Sequence, residues 1–166
     1  AQMRFGLDVL LREASVRPHL LGEIVIYLGP GTGMGGGAAR VDREGSVRVV
    51  TDGHFFDLQV PGYGDGTRTA EELFTGPAIA RAVEEANAQL ASPIRPAMAG
   101  QLDHLLTTPD APAAQREAAQ RIAETQGEIL AAIIAAIHAG TITKVRLEPT
   151  PDGRVLRHVD EPDRAW

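Results

Sequence analysis

Six glycines fall within the ten residues from Leu28 to Gly37. Glycine adopts backbone conformations that other residues avoid, and because it has no Cβ an anion can approach its main chain closely. Successive amide N–H groups in such a segment can converge on phosphate. A flexible hairpin turn without a ligand is the alternative, but it would not need six residues that each cost conformational entropy on folding. The segment therefore predicts a phosphate-binding turn.

The residues around the glycines predict strands on both sides. The run from Ile24 to Leu28 is apolar and rich in β-branched residues, which is typical of a buried central strand. After the glycines, residues 38–41 and 46–51 look like two strands joined by a turn that ends in Gly45. No Lys-Ser or Lys-Thr pair follows, as a Walker loop requires, and no helix follows, as a Rossmann turn requires. We expect three sequential antiparallel strands.

Helical patterns dominate the rest of the chain. Thr69 and Glu72 have the spacing of a capping box, and Thr75-Gly76-Pro77 can cap and begin the next helix. Gly140 is placed to end the longest helix, whose second half is apolar nearly all round and is therefore expected to be buried. The predicted helices cover residues 3–14 (ended by Arg17-Pro18), 70–74, 76–90, 95–106 (with Met98 on its apolar side) and 111–139 (capped by Asp110).

The remaining segments read as extended structure and loops. Residues 142–147 and 155–158 alternate like a hairpin around Pro151-Asp152-Gly153. Residues 55–60 look like a further extended piece, 61–66 like a loop and 161–166 like a polar tail. We expect one domain over residues 1–166 with α/β architecture.

Composition narrows the classes of function. The formal charge of −6 disfavours general nucleic-acid binding, although backbone amides can still hold a single nucleotide. The chain has no cysteine, and no apolar run approaches the roughly 20 residues of a membrane span. His19, His104, His138 and His158 show no mutual metal-ligand spacing. We therefore expect a cytoplasmic protein without a metal of its own and without a membrane partner.

The segment IVIYLGPGTGMGGG resembles the second phosphate loop of the actin-like sugar kinases, particularly the bacterial glucokinases and the repressor–ORF–kinase (ROK) group. These proteins carry a hydrophobic strand that runs into Gly-Thr-Gly followed by more glycine. The resemblance extends in order through a Thr51–His54 turn, Thr75-Gly76-Pro77 and a long helix around Gly127, over roughly residues 5–140. It implies a ribonuclease H-like, actin-type lobe with three antiparallel strands and covering helices.

The resemblance assigns roles to residues of this chain. It implies that Gly31, Thr32 and Gly33 contact the phosphates of ATP, whose Mg²⁺ is bound through the nucleotide. It places Thr75, Gly76 and Pro77 on the side of the nucleotide base, although a helix start alone explains them equally well. It places Asp52 and His54 on the sugar, and a plain turn is the alternative for His54.

The chain also departs from the family pattern. Asp52 stands where the family has Glu, which shortens the reach of the carboxylate by one methylene. The family's first phosphate loop and its catalytic Asp have no counterpart here, nor has the Gly-Gly segment near its C-terminus. We expect a fragment that forms the C-terminal, nucleotide-binding lobe of a hexose kinase and is inactive alone, with a homo-oligomer or a missing N-terminal lobe as its partner. The alternative is a non-catalytic binding or assembly module that retains the fold.

Overall fold

The computed structural model of the chain describes residues 2–52, 55–64, 66–152 and 154–160. Within these residues it is a mixed α/β structure with a three-stranded antiparallel sheet, a separate two-stranded hairpin and helices. The elements in chain order are α1 (Gln2–Leu10), α2 (Arg17–Leu20), β1 (Ile24–Pro30), β2 (Met34–Val41), β3 (Val47–Asp52), α3 (Ala70–Leu73), α4 (Gly76–Asn87), α5 (Ala99–Thr107), α6 (Ala113–His138), β4 (Val145–Pro149) and β5 (Val155–Val159).

The three sequential strands are antiparallel, as predicted, in the order β1-β2-β3. β1 pairs with β2 from Ile24 opposite Arg40 to Pro30 opposite Met34. The prediction that β1 is a buried central strand is wrong: it lies at the edge of this sheet, and its residues are half-buried or exposed. The central position belongs to β2, which pairs with β1 on one side and with β3 on the other.

The second strand begins earlier than the sequence indicated. Gly35, Gly36 and Gly37 all lie within β2, so the true connection between the first two strands is only Gly31-Thr32-Gly33. The predicted glycine-rich loop is therefore mostly strand. The turn between β2 and β3 is as expected, with Gly45 at φ +92°.

The sheet and the second half of α6 enclose one apolar core. Phe55, Leu58 and Val60 fill its centre from the chain that follows β3, and that stretch forms a turn and isolated bridges rather than the extended piece we expected. Its other buried members are Met34, Ala70, Ile129, Ile133, Ala136, Ile137 and Ile142. Ile134 is 51% exposed, so the expected burial of α6 on all sides is wrong for that face.

A second apolar core lies between α4, α5 and the first half of α6. Its buried members are Val83, Ile94, Leu102, Leu105, Ala118, Ala119 and Ile122. α6 thus contributes to both cores. It spans 26 residues and ends before Gly140, whose φ is +66°, as predicted.

Several predicted helix ends are wrong. α1 ends at Leu10, and Pro18 lies in the first turn of α2, where the missing N–H of proline costs nothing. α5 begins only at Ala99, and Met98 precedes it and is 51% exposed. Asp110 does not cap α6, since the residue at the cap position is Pro112 and no side chain caps the helix there.

The C-terminal hairpin forms as predicted, with β4 paired antiparallel to β5. It is attached to the rest of the chain by a bridge between Leu58 and Lys144 and by a bidentate ion pair between Arg157 and Glu72. No helix within the described part of the chain is both long and apolar enough to span a membrane.

Candidate functional site

The predicted phosphate-binding turn is the tip of the β1–β2 hairpin. The amide of Gly31 donates to the carbonyl oxygen of Gly33 at 2.9 Å, which closes the turn directly beyond the last strand pair. Thr32 stands exposed at the tip. The prediction of a glycine-rich connection between two strands is therefore confirmed, but the connection is shorter than the predicted loop and consists of Gly31–Gly33 alone.

The turn is attached to the first residue of α4. The amide of Gly76 donates to the carbonyl oxygen of Gly31 at 2.7 Å. A Cβ on Gly76 would lie 3.1 Å from that oxygen, closer than most Cβ contacts, so glycine suits this close approach. Two segments that the sequence singled out separately, Gly31–Gly33 and Thr75–Pro77, therefore meet. The positive end of the α4 dipole lies beside the turn.

Thr75 begins α4 in the way that the helix-start interpretation predicts. Its hydroxyl accepts from the amide of Ala78 at 3.4 Å and donates to the carbonyl oxygen of Glu71 at 2.9 Å. The Thr75 side chain is only 2% exposed, so its hydroxyl is used inside the protein. Pro77 follows in the first turn of α4 and is exposed.

The turn carries two amides that are available to a ligand. Neither the amide of Thr32 nor that of Gly33 donates a hydrogen bond to another described residue. A backbone amide in an exposed turn needs a partner, which water or an anion can supply. Two adjacent donors beside a helix N-terminus form a local environment that favours negative charge.

Glu71 also belongs to this site, and sequence reasoning missed it. Its Oε2 accepts from the amide of Met34 at 2.5 Å, and a Cβ on Gly33 would lie 3.2 Å from its Oε1. The sequence predicts a capping box in which Thr69 pairs with Glu72. In the structure Glu72 alone completes the capping box with Thr69, and Glu71 points to the turn instead. The capping-box spacing identifies Glu72, but no local pattern predicts the contact of Glu71 with Met34, because that contact spans 37 positions.

Glu72, the next residue of α3, contacts the C-terminal hairpin and not the turn. Arg157 donates to both of its carboxylate oxygens, at 2.8 and 2.5 Å. These hydrogen bonds, together with the backbone amide of Thr69 and the charge of Arg68, lower the pKa of Glu72 to about 2, although partial burial acts to raise it. Glu72 is therefore an ionised structural group that holds the hairpin, separate from the turn.

The residues predicted to bind sugar are only partly described. Asp52 is the last residue of β3, and its backbone pairs with Gly37 of β2. The Asp52 side chain and His54 lie outside the described residues. Among the residues that are described, no group of three or more His, Asp or Glu side chains is arranged to hold a metal ion.

Comparison with known proteins adds one structural neighbour. No protein-family model matches the chain, and no curated protein matches it either. Among solved structures the chain is similar to a glucokinase from an Antarctic psychrotroph, with 18% sequence identity and a TM-score of 0.47. The match covers 72% of this chain and 39% of that glucokinase, so the chain corresponds to well under half of the neighbour's length.

Proposed function

We propose that this chain is the nucleotide-binding lobe of an ATP-dependent sugar kinase of the glucokinase type. In this proposal Gly31, Thr32 and Gly33 bind the phosphates, Gly76 and Pro77 border the nucleotide base, and Asp52 and His54 contact the sugar. The lobe has the ribonuclease H-like fold of the actin-like ATPases, and its relatives are the bacterial glucokinases and the ROK group. Such a protein works in the cytoplasm.

One observation carries the proposal: the hydrogen bond from the amide of Gly76 to the carbonyl oxygen of Gly31. It holds the Gly-Thr-Gly turn at the N-terminal end of a 12-residue helix. The amides of Thr32 and Gly33 are left without a partner among the described residues. Phosphate binding at such a place needs no lysine or arginine, since amides and the helix dipole supply the attraction.

The residues present fit a nucleotide phosphate with its metal ion. The turn offers two amides and the Thr32 hydroxyl to phosphate oxygens, and the Glu71 carboxylate beside it tolerates a phosphate better when a cation offsets the charge. Mg²⁺ bound through the nucleotide would neutralise charge on the transferring phosphoryl group. The part of this chain is to hold the phosphates in position.

Binding of ADP tests the proposal directly. We expect ADP with Mg²⁺ to raise the melting temperature in a concentration-dependent manner and to bind in the micromolar range by calorimetry. Gly31→Val should abolish binding, because a branched side chain at the turn blocks close approach of phosphate, while its Cβ would make only an ordinary contact, 3.8 Å from the carbonyl oxygen of Gly33. Thr32→Ala should weaken binding, and Thr125→Ala, at an exposed position of α6, is the matched control. Absence of any ADP effect on the unmodified chain would refute the proposal.

A second function, assembly without catalysis, is favoured by an apolar groove of about 940 Å³ between β1 and α6. Ile26 and Leu28 of the edge strand and Ile134 of α6 line it, with His138 and Arg40 at its borders. An exposed apolar groove next to a sheet edge is a feature of surfaces that bind other chains.

The oligomeric state separates the two functions. If assembly is the main role, the purified chain should form a dimer or larger species by light scattering, and Ile134→Glu should return it to a monomer. Ile134→Glu should leave ADP binding unchanged, because the substitution alters the groove and none of the turn residues Gly31, Thr32 and Gly33. A monomeric chain that binds ADP supports the kinase lobe alone.

A further inference from the structure

Glu71 belongs to α3, and its carboxylate lies beside the Gly31–Gly33 turn. One oxygen, Oε2, is engaged by the amide of Met34 at 2.5 Å. The other, Oε1, accepts no hydrogen bond from a described residue and is the atom nearest to the position of a Cβ on Gly33, at 3.2 Å. A negative charge is thus fixed at the side of a turn whose chemistry otherwise attracts anions.

The amides available to phosphate are the immediate neighbours of that charge. Thr32 and Gly33 supply them, and Gly33 directly precedes the residue whose amide Glu71 has taken. An anion held by these two amides would therefore lie a few ångströms from the carboxylate. Repulsion between like charges at about 4 Å is large enough to weaken binding of a bare phosphate by roughly tenfold at a partly exposed site.

A divalent cation on the phosphate changes the sign of this effect. A phosphate that carries Mg²⁺ presents positive charge toward neighbouring carboxylates, and Mg²⁺ binds preferentially to oxygen ligands and water. The free Oε1 of Glu71 can then attract the complex, either directly or through a water of the metal. Among the described residues, no arginine or lysine forms an ion pair with the Glu71 carboxylate, so its charge is not neutralised in that way.

We infer that Glu71 makes the turn selective for a phosphate that carries a divalent cation over the same phosphate without one. The inference rests on the proposed function, because it requires that the turn binds nucleotide phosphate. It assigns to Glu71 a discriminating role at the binding step. Its hydrogen bond to Met34 fixes the charge at a constant position beside the amides.

Calorimetric titration of the full chain with ADP, in Mg²⁺ and in EDTA, tests the inference. We expect at least about tenfold tighter binding with Mg²⁺ than without it. Glu71→Gln keeps a hydrogen-bond acceptor for the amide of Met34 but removes the charge. It should therefore bind ADP in EDTA more tightly than the unmodified chain does, which brings the ratio of the two affinities toward one. Pyrophosphate without metal should likewise bind Glu71→Gln more tightly than the unmodified chain.

Two further variants separate charge from structure. Glu71→Asp keeps the charge and weakens the contact with Met34, so the preference for the metal complex should remain. Glu85→Gln makes the same charge change at an exposed position of α4 and should leave the ratio unaltered. The spectra of all variants should match by circular dichroism.

The outcomes are distinct from those of the proposed function. Equal affinity of the unmodified chain for ADP with and without Mg²⁺ would overturn the inference while leaving nucleotide binding intact. If Glu71→Gln left the ratio of ADP affinities with and without Mg²⁺ unchanged, the inference would be overturned as well. Glu71 would then have only a structural role, through its hydrogen bond with Met34. No ADP binding under either condition would refute the proposed function and the inference together.

Discussion

The ring of Phe55 packs directly on Gly36. A Cβ on Gly36 would lie 2.6 Å from Cγ of Phe55 and 2.7 Å from the carbonyl oxygen of Tyr27, distances that real Cβ atoms do not show. Phe55 itself is fully buried in the core below the sheet. Gly36 is therefore needed for packing, and its role differs from that of the turn, which ends three positions earlier at Gly33.

This contact predicts that Gly36→Ala is destabilising. The extra methyl must displace the Phe55 ring or the backbone, which costs about 1–3 kcal/mol in a packed core. The matched control is Gly35→Ala, whose Cβ would lie 3.5 Å from the carbonyl oxygen of Gly29, an ordinary contact. Urea unfolding measures both free energies. Equal stability of the two variants would contradict the packing role of Gly36.

The acid sensitivity of the chain should depend on the pair between Glu72 and Arg157. The pKa of Glu72 is lowered from 4.5 to about 2, and the hydrogen bonds from Arg157 are the largest cause. As the pH falls, the Glu72 carboxylate therefore binds a proton at a higher pH in the unfolded chain than in the folded chain. The contribution to stability is complete above about pH 4.5 and is lost as the pH falls toward 2. Unfolding free energies at pH 6 and pH 3 should differ less in Arg157→Ala than in the unmodified chain.

A second arginine of the same hairpin provides the control for that measurement. Arg146 lies 3.9 Å from Asp160, and both side chains are largely exposed. Arg146→Ala should therefore change stability by less than about 0.5 kcal/mol and leave its pH dependence unaltered. Identical pH profiles for Arg157→Ala and the unmodified chain would show that Glu72 does not depend on Arg157.

Thr75 should be important for stability. Its hydroxyl caps α4 and donates to the carbonyl oxygen of Glu71 in a buried position. Thr75→Val keeps the shape and removes both hydrogen bonds, which should cost about 1–2 kcal/mol. Thr75→Ser should retain most of the stability. If Thr75→Val were as stable as the unmodified chain and lost ADP binding instead, a direct contact with the nucleotide would be the better interpretation.

The sequence predicted the elements near the turn because their signals are local. Aliphatic β-branched runs, Gly45 and the Thr69–Glu72 capping box each depend on residues a few positions apart, and all appear in the structure. The edge position of β1 could not be predicted, because an apolar run identifies a strand but does not determine how many neighbours it pairs with.

The same limit applies to the site. The sequence pattern predicts the glycine-rich segment, whereas the contacts of its turn with Gly76 and Glu71 join residues roughly forty positions apart. The contacts of two adjacent glutamates with distant residues arise only through tertiary packing, which brings Glu72 to the hairpin and Glu71 to the turn. Asp110 shows that a local signal can also mislead. It is a suitable capping residue, but it lies two positions before the cap position of α6, and no side chain caps that helix.

The last prediction concerns catalysis. Transfer of a phosphoryl group to a sugar requires a residue that accepts the hydroxyl proton, in addition to groups that hold the phosphates. The proposed function gives phosphate contacts to Gly31–Gly33 and sugar contacts to Asp52 and His54, and it gives the role of the base to no residue of this chain. Among the described residues, the acidic group nearest the turn is Glu71, whose hydrogen bond to Met34 holds it at the backbone.

The purified 166-residue chain should therefore bind ADP yet form no glucose 6-phosphate from glucose and MgATP. A coupled dehydrogenase assay measures the product, with an intact glucokinase as the positive control and Gly31→Val as the background. Turnover above that background would contradict the prediction, because a second lobe would then not be needed to supply the base. If turnover did occur, a fall in kcat without a rise in the KM for glucose in Asp52→Asn or His54→Ala would point to that residue as the one that accepts the proton.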